Sequence, residues 1–194
     1  MLLPIGIVQQ QSAGAGGGAA IVLDTFTDAD AAPLQSHTPD TYPSTGWTVG
    51  GGSITISSNE ALLNAISSYF IESGLSDCAV SCDIKYSVNN YADLCFRRSG
   101  SNFWMVEIGQ TPYNVVKLYE MPAATLRGTG STVLSSGTFY TIKVVCSGTS
   151  ITVSVDGGAD EISYTSSTYL TQTQHGIRAY TSGNRYDNFK VESL

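Results

Sequence analysis

Between residues 139 and 155 apolar side chains fall on every second position: Tyr140, Ile142, Val144 and Cys146, then Ile151, Val153 and Val155. A period of two gives each run one buried face and one wet face, the pattern of a half-buried β-strand. Gly148 lies between the runs and Asp156-Gly157-Gly158 follows them, so tight turns fold the strands back antiparallel. Residues 175–180 and 185–192 read as two closing strands. Upstream, short strands are predicted at 21–26, 47–49, 54–57 and 61–66, and longer ones at 78–88, 91–98, 103–109 and 114–120. Residues 28–45 form a loop holding Pro33, Pro39 and Pro43, and 121–137 read as irregular. With no long amphipathic helical stretch, the expected fold is all-β: a two-sheet antiparallel β-sandwich of about a dozen strands, five to seven per sheet.

A chain of 194 residues carries one well-buried core and is short for two. The net charge is −7, and the first basic residue is Lys85. Phosphate binding needs clustered Lys and Arg, so the charge argues against nucleic acid and anionic lipid as partners.

The first eight residues are apolar but lack a basic start, contain Pro4 and give way to Gln9-Gln10-Gln11. This departs from a secretory leader, and no run approaches the ~20 residues needed to span a bilayer. Residues 12–20 hold nothing larger than serine and read as a flexible tether. The expected layout is an arm over 1–20, either a docking segment or a disordered terminus, and a folded domain over 21–194.

Cys78, Cys82, Cys95 and Cys146 fall within strand patterns. Cys78 and Cys82, four apart on one strand, are ~13 Å apart, beyond the ~7 Å Cα limit of a disulfide. They read as buried free thiols, which fits a reducing cytoplasm, with a cross-strand disulfide from Cys95 or Cys146 as the alternative.

No catalytic pattern emerges. A retaining glycosidase needs two carboxyl groups ~5–5.5 Å apart. Glu107, Glu120 and Glu161 lack acidic partners two or four residues along, and Asp28 and Asp30 sit in the proline-rich loop. His37 and His175 have no acid, cysteine or second histidine recognisable as a partner. The chain reads as a non-enzyme.

Several segments nevertheless resemble a known family. Asp24-Thr25-Phe26, residues 94–97, residues 101–104, the 138–157 hairpin, Gly176-Ile177-Arg178 and the ending Tyr186-Asp187-Asn188-Phe189-Lys190-Val191 look like a concanavalin A-like, laminin G-type jelly roll over about residues 22–193. The opening through Gly46-Trp47 is similar to such domains in tailed-bacteriophage virion proteins. The resemblance implies a virion structural protein, such as a capsid decoration, head-fibre or tail-associated adhesion protein. Its partners would be other virion proteins met through residues 1–20, itself in many copies or as a homo-oligomer, and cell-surface carbohydrate. The alternative is a secreted bacterial carbohydrate-binding module or glycosidase accessory domain. Arg97, Trp104, Tyr113 and Tyr119 are the candidate ligand contacts, against a reading in which Trp104 and Tyr119 pack between the sheets. The superfamily also implies a candidate structural calcium at Asp24 and Asp187, since Ca²⁺ takes six to eight oxygen ligands.

Overall fold

The computed structural model describes residues 18–109 and 114–194. The strands are β1 (Ala20–Asp24), β2 (Thr48–Gly51), β3 (Ile54–Ile56), β4 (Ala61–Leu63), β5 (Ser67–Glu72), β6 (Cys78–Lys85), β7 (Tyr91–Ser99) and β8 (Asn102–Gly109). They continue as β9 (Lys117–Met121), β10 (Thr125–Thr129), β11 (Tyr140–Ser147), β12 (Ser150–Val155), β13 (Asp160–Thr165), β14 (Gln174–Ala179) and β15 (Arg185–Glu192). Two antiparallel sheets result. One runs β13-β12-β11-β6-β15-β4-β3 with β1 also on β15; the other runs β10-β9-β8-β7-β14-β5-β2. The expected jelly-roll sandwich is what the chain forms, with eight and seven strands.

The additional strands are those with no alternation to read. In β5, Tyr69, Phe70 and Ile71 are buried in succession because both faces are covered. β10 and β13 end their sheets and carry few apolar residues, Leu126 in the first and Ile162 with Tyr164 in the second. Between the sheets lies one continuous core, including Val80, Leu94, Phe96, Trp104, Val106, Val144, Val153, Ile177 and Phe189. All four cysteines are buried and unpaired, and Cys78 stands opposite Cys146 in the β6–β11 register. Burial pushes both of these thiols up to about 12, so they behave as small apolar residues.

Of the bulges that interrupt the period of two, those in β7 and β15 redirect side chains at the site and in the core. The β7–β8 register shifts between Phe96 and Ser99, where Arg97 takes a φ of 47°. The β6–β15 register shifts between Asp187 and Lys190, where Asn188 takes a φ of 51°. An extra residue reverses the facing of everything beyond it. Phe189 therefore enters the core beside Trp47, ring centroids 5.0 Å apart.

Both histidines have partners that their sequence neighbours do not reveal, which corrects the expectation for them. His37 bridges Asp24 (Nε2 to Oδ1, 2.9 Å) and Asp28 (Nδ1 to Oδ2, 3.1 Å). His175 lies fully buried, with Nε2 2.9 Å from the Leu75 carbonyl and 3.6 Å from Cys78 Sγ.

Candidate functional site

The outer face of the seven-stranded sheet carries a second, separate apolar cluster of Phe70, Cys95, Phe103 and Met105, flanked by Tyr119 and Met121. The strand registers arrange it in rows. Phe70, Gly176, Cys95, Met105 and Tyr119 lie side by side across β5, β14, β7, β8 and β9. The next row along the strands is Ser68, Arg178, Asp93, Glu107 and Lys117. Glycines make room for the aromatic ring at one end: a Cβ at Gly50 or Gly176 would come 2.6 or 2.8 Å from the Phe70 ring.

Two depressions follow each other along these strands. The first, about 360 Å³, is lined by residues that include Ser68, Arg98, Ser101, Phe103, Met121 and Arg178. The second, about 260 Å³, is lined by Tyr91, Met105, Glu107, Tyr119, Ala124 and Tyr180. Passing from one to the other moves two residues along β8 (Phe103 to Met105) and β9 (Met121 to Tyr119), about 7 Å, and from Arg178 of β14 to Tyr180 just beyond its end. Arg98 lies over Phe70 at 3.8 Å and Arg178 over Tyr180 at 4.2 Å. Tyr91 and Tyr180 meet edge to face at 6.2 Å.

The acids of this face are perturbed by burial. Glu107 is raised by desolvation, opposed by Lys117, whose Nζ is 3.7 Å from Oε1. Asp93 is fully buried and raised well above the carboxylate range by desolvation. Glu107 does have an acidic neighbour, since Asp93 stands directly across from it on β7. Cross-strand pairing put it there, 14 positions away in sequence and out of reach of an i, i+2 search.

The candidate contacts separate clearly. Tyr119 faces the second depression. Trp104 does not face it: it is fully buried between the sheets against Tyr164 and Tyr169. Arg97 is likewise turned inward by the bulge at its own position. Its Nη2 bonds Asp77 Oδ1 at 2.8 Å and the Gly148 carbonyl at 2.9 Å, while Arg98 takes the outer face instead. Tyr113 lies outside the described residues. Strand β8 carried a usable signal, because residues 103–108 have no polar face apart from Glu107 and so are covered on both sides.

At the β1–β15 edge, the Asp24 carboxylate accepts Trp47 Nε1–H at 2.6 Å and the Phe26 N–H at 2.7 Å, besides facing His37. Asp187 Oδ1 accepts the N–H of Asn188 at 2.7 Å. Asp24 thus meets protein donors where a calcium ligand would present free oxygens. Among the described residues no group of three or more His, Cys, Asp or Glu side chains is placed to hold a metal.

No family model matches the sequence, and no curated protein matches it. Its fold is similar to solved structures. One is the carbohydrate binding module CBM66 from Bacillus subtilis, at TM-score 0.67 and 21% identity, covering 77% of this chain and 96% of that one. Another is domain 4 of AbnA, a GH43 extracellular arabinanase from Geobacillus stearothermophilus in complex with arabinotriose, at TM-score 0.65 and 13% identity, covering 92% and 94%. A third is the Bacillus licheniformis β-glucanase, at TM-score 0.61 and 10% identity, covering 93% and 100%. At such identities the likeness shows a shared jelly-roll sandwich. It lends nothing to the virion part of the sequence resemblance.

Proposed function

We propose that the chain is a carbohydrate-binding module that takes a glycan along the outer face of the seven-stranded sheet. The observation that carries this reading is the pair of depressions lined by Phe103, Tyr91, Tyr119 and Tyr180 beside Arg98, Arg178, Ser68 and Glu107. Sugars offer apolar C–H faces and rims of hydroxyls, so aromatic surface interleaved with hydrogen-bonding groups suits them. The jelly-roll neighbours, two of which are described as a carbohydrate binding module and as a domain holding arabinotriose, support the same choice. A carbohydrate-binding module is therefore preferred over a virion component. The docking arm of that second reading falls mostly outside the described residues.

Binding without bond cleavage is part of the proposal. Of the Asp93–Glu107 pair only Glu107 lines a depression, and Asp93 has no exposed surface with which to reach a sugar. A glycan array probed with the full chain is expected to return at least one bound class. Tyr119→Ala should weaken that binding on the order of tenfold with its melting temperature unchanged. Release of new reducing ends from the bound glycan, abolished by Glu107→Gln, would instead establish a hydrolase.

A further inference from the structure

Of the chain's five arginines, four stand within 4.0 Å of a carboxylate: Arg97 near Asp77, Arg127 near Glu120, Arg178 near Asp93 and Arg185 near Glu60. Arg98 has no such partner among the described residues. Its Nη1 donates to Gln174 Oε1 at 2.7 Å and its guanidinium rests on the Phe70 ring, but the remainder of the fork meets no acceptor there. Burial disfavours its charge and draws its pKa down. A cation partly withdrawn from water without a counter-charge is short of a partner.

Arg178 lines the same 360 Å³ depression. Its Nη1 is 3.9 Å from Asp93 Oδ2, longer than a hydrogen bond, and 3.4 Å from Met105 Sδ, a weak acceptor. Neither Asp93 oxygen has a hydrogen-bond partner, and burial favours the uncharged acid; the other acid that feels the Arg178 charge, Glu107, is already paired with Lys117. No lining residue of this depression is acidic, although the chain as a whole carries −7. Ser68 and Ser101 add hydroxyls, while Phe103, Met121 and Pro122 add an apolar wall.

We infer that this depression takes a sugar bearing a carboxylate, held between the guanidinium groups of Arg98 and Arg178, with Ser68 and Ser101 on its hydroxyls. The planar fork of arginine matches the two oxygens of a carboxylate. The assignment rests on the carbohydrate-binding reading and narrows it to acidic glycans.

The test titrates the full chain with a paired panel of oligosaccharides containing galacturonate, glucuronate, mannuronate or N-acetylneuraminate, each beside its carboxyl-reduced neutral form and a sulfate ester of that neutral form. At least one acid should bind on the order of tenfold or more tighter than its neutral counterpart. The preference should shrink near 1 M salt, where the Debye length is about 3 Å. Arg98→Gln and Arg178→Gln should each remove it, while Lys143→Ala on the other sheet keeps it. Equal or better binding of the neutral forms, or a preference for the sulfate esters, would overturn the inference and leave the carbohydrate reading standing. Binding to no member of the panel, with a glycan array also blank, would overturn both.

Discussion

Trp104→Ala is expected to destabilise the fold by about 3–5 kcal/mol, the usual loss for emptying a large aromatic site in a core. For a domain of this size that lowers the melting temperature by roughly 10 °C. The indole is fully buried, donates Nε1–H to the Thr168 carbonyl at 3.4 Å and contacts the rings of Tyr164 and Tyr169 at 5.7 and 6.2 Å. Alanine leaves a cavity between the sheets and an unpaired carbonyl. Phenylalanine refills most of the volume and should recover more than half of the loss. Thermal unfolding followed by circular dichroism measures both. An alanine variant that melts like the parent but no longer binds glycan would return Trp104 to the ligand contacts.

Acid is expected to act on stability through His175. Complete burial draws its pKa down to about 4, from an ordinary value of 6.5. The neutral ring is already satisfied at both nitrogens. Nε2–H donates to the Leu75 carbonyl at 2.9 Å, and Nδ1 faces the Arg97 backbone N–H at 3.4 Å, so a proton on Nδ1 would point at another donor. The unfolded chain binds that proton more readily than the folded one. The stability this histidine contributes is therefore complete above pH 6.5 and is lost as the pH falls toward 4, by about 3 kcal/mol in all. His37 works in the opposite sense. Burial pushes it down, but its bonds and charge pairing with Asp28 and Asp24 outweigh that and raise it, so its contribution fades as the pH rises. The two separate by difference: denaturant unfolding of the parent and of His175→Gln from pH 7.5 to 4 should show their stabilities converging in acid. Parallel curves would mean that the folded and unfolded chains bind the His175 proton equally, so that burial does not shift it.

The architecture was legible because the core is built from strands with one wet face. Residues 140–147 and 150–155 alternate cleanly, and their register follows that alternation. The site was less legible, because its strands are covered on both faces and because a bulge intervenes. Alternation from Ala92, Leu94 and Phe96 places Arg97 outside and Arg98 inside. The extra residue at Arg97 reverses both, so the arginine read as a contact anchors the sandwich end and its neighbour lines the depression. Asp93 with Glu107, and Arg178 with Arg98, become neighbours only through strand order, which no local pattern encodes. His37 and Asp24, 13 positions apart and joined across a loop, escaped for the same reason.

The most direct test of the central claim is an amide chemical-shift map of the full chain titrated with whichever oligosaccharide an array returns. The account predicts the largest shifts on β7, β8, β9 and β14, around Arg98, Phe103, Tyr119 and Arg178, with β11 and β12 of the other sheet undisturbed. Shifts centred on the eight-stranded sheet would contradict it.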